Sequence, residues 1–105
     1  MCFFDYGALG PYSAIDLSLR EPHNNGVLID GVYISPHKFL GGPGSCGILI
    51  MNRPCYNQNL RPTHGGGGTV DFVNSQSQIF TEDVSHREKS GTPGILQMIK
   101  ASLAF

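Results

Sequence analysis

The sequence predicts an α/β chain of short strands set between glycine-rich turns and followed by one helix. Three observations carry this. Gly and Pro together fill 21 of 105 positions, without collagen-like period. The apolar runs are only three to five residues long and stop at Gly, Pro, Asn or Asp. A three-to-four spacing of apolar residues occurs in one place, the C-terminal stretch. The length suits one domain, and 40% hydrophobic with 14% charged residues excludes a polyelectrolyte tail.

Taken in order, Cys2-Phe3-Phe4 is an apolar run ended by Asp5, and Ala14-Ile15-Asp16-Leu17 is a weaker strand candidate. Val27-Leu28-Ile29 and Val32-Tyr33-Ile34 flank Asp30-Gly31, which by local pattern is a two-residue hairpin signal. Gly47-Ile48-Leu49-Ile50-Met51 reads as a buried strand before Asn52-Arg53-Pro54. Thr69 to Val73 and Gln78 to Thr81 form a further pair, rich in β-branched and aromatic residues. In the helix, Thr92 is the expected cap, Pro93 the first helical residue, and Ile95, Met98, Ile99 and Leu103 the buried face. No stop signal follows it, and the first strand begins at residue 2, so the expectation is the interior of a larger domain cut at both ends. No linker divides the chain.

A formal net charge of -1 gives no electrostatic case for nucleic acid or an anionic membrane surface. No apolar run reaches the length of a membrane span, and Met-Cys-Phe-Phe-Asp lacks the basic start of a signal peptide. Cys2, Cys46 and Cys55 are odd in number and contain no Cys-x-x-Cys, which argues against a disulfide framework or structural zinc. A reducing, cytoplasmic setting is the expectation. His23, His64 and His86 lack metal-ligand spacing and read as surface or loop residues.

Gly42-Pro43-Gly44-Ser45-Cys46-Gly47 matches G-x-G-x-x-G but precedes a predicted strand instead of opening a helix, so a dinucleotide site is a weak alternative. More informative is the stretch from Tyr33 to Gly44. A hydroxyl (Ser35), an imidazole (His37) and a primary amine (Lys38) leave the end of an apolar strand within four positions, and glycines then allow a close backbone turn. An amine held among apolar neighbours is a nucleophile toward aldehydes. The alternative is that Ser35 and His37 are turn residues and Lys38 a solvated charge.

Ser35-Pro36-His37-Lys38-Phe39-Leu40-Gly41-Gly42-Pro43-Gly44 resembles the cofactor-lysine signature of class V aminotransferases, the fold-type I pyridoxal-phosphate enzymes that include cysteine desulfurases and selenocysteine lyases. Three further segments resemble the family in the same order: Phe4-Asp5-Tyr6-Gly7-Ala8-Leu9-Gly10-Pro11-Tyr12, His64-Gly65-Gly66-Gly67-Gly68-Thr69-Val70, and Arg87-Glu88-Lys89-Ser90-Gly91-Thr92-Pro93. The resemblance implies part of a mostly parallel-sheet large domain, with Asp30-Gly31 leading into the strand from a loop instead of forming a hairpin.

The resemblance also implies roles. Lys38 forms the Schiff base with pyridoxal 5'-phosphate and later moves the α-proton of an amino-acid substrate, in transamination or a desulfuration-type β-elimination. Asp5 pairs with the pyridine nitrogen, Ser35 and His37 donate to the phosphate, and Thr69 reaches the phosphate of the neighbouring subunit in a homodimer. On the residues alone, Asp5 reads first as a strand-ending turn acid, and Thr69 almost as readily as an ordinary first strand residue. The sequence departs from the family at Ala8, where Gln is common, and neither Cys46 nor Cys55 matches the mobile-loop Cys of desulfurases. The small C-terminal domain with its carboxylate-binding Arg, and the residue that stacks on the cofactor ring, lie outside the segment this chain resembles. An inactive truncated paralogue or interaction module is therefore the rival expectation. Arg87 fits either an intradomain ion pair or a dimer face.

Overall fold

In a computed structural model, residues 1–17 and 29–105 are described here. They form two compact units: Met1–Tyr56 with Ile95–Phe105, and Asn57–Gly94. No composition change marks the boundaries, because the second unit is an excursion of the chain between the sheet and the C-terminal helix of the first.

The first unit is built on a three-stranded sheet of order β1-β2-β3, with β1 Phe3–Asp5, β2 Gly31–Ile34 and β3 Ile48–Met51. β2 runs parallel to β1, with Phe4 opposite Val32 and Asp5 opposite Tyr33, and antiparallel to β3, with Ile34 opposite Ile48. The sheet is therefore mixed among the described residues, where a mostly parallel one was expected. β2 is the centre of burial. Val32 and Ile34, two apart on one face, are 0% and 2% exposed.

Asp30-Gly31 forms no two-residue hairpin. Gly31 is already the first residue of β2 and pairs with both Phe3 and Met51, while the Asp30 carboxylate accepts from the Cys2 amide and from the Cys55 thiol at 3.0 Å. These long-range partners outweigh the local turn preference. Of the expected Val27-Leu28-Ile29 strand, Val27 and Leu28 lie outside the described residues, as does His23. Residues 14–17 form no strand. The chain before them is folded into a turn in which the Tyr12 and Ser13 amides both donate to the Leu9 carbonyl.

The helix α2 spans Ile95–Ala104, two residues later than its Thr92-Pro93 signal. The Gly91 amide is held by the Gly67 carbonyl at 2.8 Å, which keeps the segment before Gly94 in the second unit and out of the helix. Within the first unit α2 docks on the loop that follows β2. Phe105 stacks on Phe39 with ring centroids 5.4 Å apart, the Cys46 amide donates to the Gln97 carbonyl at 3.3 Å, and Ala101 is buried.

The second unit holds the antiparallel hairpin of β4 Val70–Val73 and β5 Gln78–Phe80, with a bulge between Val70 and Phe72. Its turn is organised by Asn74, whose side-chain oxygen accepts from the Gln76 and Ser77 amides at 2.9 and 2.7 Å. The one-turn helix α1, Val84–Arg87, was not anticipated. Asp83 caps it by accepting from the His86 amide, and His86 Nδ1 stands 3.2 Å from the same carboxylate. Arg87 donates to the Leu60 carbonyl at 2.7 Å and lies over the Phe80 ring, so within this unit it is a packing and hydrogen-bonding residue.

Candidate functional site

Four of the five sequence-predicted site residues belong to the first unit and lie at the carboxyl ends of two parallel strands. Asp5 ends β1, and Ser35 directly follows β2. Parallel strands deliver whatever follows them to one edge of the sheet, where ligands of α/β proteins sit. The Tyr6 amide donates to the Tyr33 carbonyl at 2.8 Å and carries the parallel ladder one step beyond Asp5. This fixes the register of the two loops that emerge there.

Between those loops lies Gly7, which is buried. Its amide donates to Asp5 Oδ1 at 2.7 Å. A Cβ on Gly7 would stand 2.7 Å from that oxygen and 3.2 Å from Ser35 Oγ. The carboxylate and the hydroxyl therefore converge on one backbone position, where a Cβ would make the Asp5 side chain shift. Asp5 was visible in the sequence as a strand-ending turn acid, but the approach of Ser35 across the sheet was not.

Lys38 and His37 occupy the 3-10 turn Pro36–Lys38, which begins immediately after Ser35. Pro36 starts the turn with its φ already fixed. The Lys38 amide donates to the Ser35 carbonyl at 3.0 Å, and the Phe39 amide to the Pro36 carbonyl at 2.9 Å. The chain then doubles back so closely that a Cβ on Gly42 would overlap the Pro36 carbonyl oxygen. Gly41 and Gly44 have φ of 79° and 82°. The glycine-rich run thus serves a tight return from the Lys38 turn into β3, and Gly42-Pro43-Gly44-Ser45-Cys46-Gly47 leads into a strand, as its position in the sequence indicates.

Both His37 and Lys38 are exposed. The apolar enclosure expected around the Lys38 amine is thus not supplied by the described residues of this unit. Thr69 lies in the second unit and is 1% exposed. Its hydroxyl donates to the Gly66 carbonyl at 2.8 Å and accepts from the Gly66 amide at 2.9 Å, closing the glycine loop on itself.

At the opposite end of the three-stranded sheet is a cluster that sequence reading did not assemble, because Cys2 and Cys55 stand 28 and 25 positions from Asp30. Asp30 accepts from Cys2 and Cys55, and its carboxyl is held below the usual carboxylate range, first by the Cys55 thiol and then by the Cys2 amide. The same contact pushes the Cys55 thiol up. Cys2, Cys46 and Cys55 are all free thiols. Among the described residues no group of three or more His, Cys, Asp or Glu is placed to hold a metal ion.

A family model described as aminotransferase class-V matches residues 21–105, a stretch that contains Ser35, His37, Lys38 and Thr69 but not Asp5. No curated protein and no solved structure matches the chain. The lysine turn at the carboxyl edge of a parallel strand pair and a family match over most of the sequence lead to one conclusion: the chain belongs to the class-V aminotransferase family, which is generally dependent on pyridoxal phosphate.

Proposed function

We propose that the first unit is part of a fold-type I large domain and binds pyridoxal 5'-phosphate at the carboxyl edge of β1 and β2, for chemistry at the α-carbon of an amino acid. The observation that carries this reading is the convergence of Asp5 and Ser35 over Gly7, with Lys38 in the turn that starts at Ser35. An acid, a hydroxyl, an imidazole and a primary amine at one sheet edge fit the groups of this cofactor: a protonated ring nitrogen, a phosphate and an electrophilic aldehyde.

The bound cofactor supplies an aldehyde for amines and a ring that takes up the electron pair released at the substrate α-carbon. The chain's own residues do the rest. Asp5 holds the proton on the ring nitrogen through its carboxylate. Ser35 Oγ and the His37 ring donate to the phosphate and fix the ring relative to Lys38. Lys38 Nζ anchors the cofactor at rest and carries the proton to and from the substrate α-carbon. Transamination and desulfuration-type elimination both use this set. The Thr69 loop completes the site of a neighbouring subunit in a homodimer.

Titration with pyridoxal phosphate tests the reading. The chain is expected to develop a visible absorption band, and borohydride to fix a pyridoxyl group on Lys38. In Lys38→Ala the band and the adduct are lost while the melting temperature is unchanged. Label spread over Lys89 and Lys100, or no label, counts against the reading. It would favour a non-catalytic member of the family, for which the exposure of Lys38 is the one supporting observation.

A further inference from the structure

We infer that Gly7 is the positioning residue of this site: its amide and its missing Cβ together set the Asp5 carboxylate where it meets the cofactor ring and bring Ser35 beside it. The inference rests on the cofactor reading above for the ligand, and on the Gly7 geometry for the residue.

Two observations converge on Gly7. The first is attractive. Asp5 is exposed at the end of a strand, where a carboxylate has several rotamers open to it. The 2.7 Å bond from the Gly7 amide selects one of them and occupies Oδ1. A hydrogen bond from a backbone amide to a charged oxygen is among the stronger neutral-donor contacts. That leaves Oδ2 as the oxygen that would pair with the ring nitrogen of the cofactor.

The second observation is steric. The bond brings the carboxylate so close that any Cβ at position 7 would press on Oδ1 at 2.7 Å, and on Ser35 Oγ at 3.2 Å. Real Cβ atoms essentially never approach an oxygen within 3 Å, so either the carboxylate or the turn must move. A methyl group at this position therefore acts on the ligand-facing groups of β1 and of the loop after β2 at once. Gly7 touches no ligand atom in this scheme. It acts chiefly through Asp5, the nearer contact at 2.7 Å, so most of its effect disappears when the carboxylate is gone.

That dependence is testable in the full chain with Gly7→Ala, Asp5→Ala and the double variant, each measured by pyridoxal-phosphate titration, by borohydride adduct on Lys38 and by thermal melting. Gly7→Ala is expected to weaken binding at least about tenfold, and the double variant to bind no worse than Asp5→Ala alone. Melting should show the same non-additivity: Gly7→Ala lowers the melting temperature when Asp5 is present and has little effect when it is absent.

Additive losses in binding or in melting temperature, or a Gly7→Ala variant indistinguishable from the parent chain, would overturn the inference. If Gly7→Ala does not fold, a double variant that does fold supports the contact with Asp5, and a double variant that also fails to fold overturns it. If the parent chain itself gains no Lys38 adduct, the cofactor reading fails, whereas the melting cycle still decides whether Gly7 acts through Asp5.

Discussion

The Asp30 carboxylate and the Cys55 thiol show how one contact sets two titrations in opposite directions. The thiol donates to the carboxylate, so the folded state favours ionised Asp30 and protonated Cys55. For Asp30, whose folded pKa is depressed, the stabilisation is present above the ordinary carboxylate range and is lost as pH falls through the folded value. For Cys55, whose folded pKa is raised, it is present below the ordinary thiol range and is lost as pH rises through the folded value. Cys55 should therefore alkylate slowly at pH 8, and Asp30→Asn should speed it severalfold, as read by mass spectrometry of iodoacetamide adducts. A rate for Cys55 that is unchanged by Asp30→Asn would contradict the contact. Neither residue announced this role. Asp30 stood in a hairpin signal and Cys55 was noted only as a cysteine outside any Cys-x-x-Cys pair, because the information lies in the pairing of β2 with β1 and β3, which no local window contains.

At the scale of elements, five of the strands that the sequence marked are present, at Phe3–Asp5, Gly31–Ile34, Ile48–Met51, Val70–Val73 and Gln78–Phe80, while residues 14–17 form none. Period and composition suffice for these because their residues are β-branched or aromatic and bounded by turn formers. What eluded the sequence was set by contacts between segments. The start of α2 was displaced by the Gly91–Gly67 bond, the hairpin at Asp30 was displaced by cross-strand partners, and α1 is a single turn held by its Asp83 cap. The site divides in the same way. Ser35, His37 and Lys38 were legible as one short motif, whereas the convergence of Asp5 with Ser35 requires the parallel register of β1 and β2.

The element that presents Lys38 depends on Gly42, whose backbone passes against the Pro36 carbonyl. Gly42→Ala is expected to destabilise the first unit by about 1–3 kcal/mol, the range for inserting a methyl group into a closed contact. Urea unfolding measures this, and the yield of Lys38 adduct should fall with it. Unchanged stability would mean that the return after the lysine turn is looser than its geometry indicates.

For the molecule as a whole, the balance of burial is unusual. Among the described residues, Val32, Ile34 and Ala101 are the buried hydrophobic ones, while Leu49, Ile50, Phe72, Ile79, Ile95, Met98 and Ile99 are among the large hydrophobics left at 41% exposure or more. Apolar surface on this scale is generally covered by association. Self-association is therefore expected in dilute buffer, with a sedimentation coefficient and a melting temperature that rise with protein concentration. A strictly monomeric chain over a hundredfold range of concentration would contradict this, and with it the homodimer proposed for the Thr69 loop.

The three-stranded sheet separates two chemistries by the length of β2. Four residues at about 3.3 Å each place the thiol end roughly 13 Å from the lysine end. That spacing makes the sheet a molecular ruler. With Cys2 and Cys46 replaced by Ser, a blue-emitting dye on Cys55 would lie within energy-transfer range of a chromophore captured at Lys38. Loss of its emission would report occupancy of the amine end from the far side of the sheet, without any turnover being required.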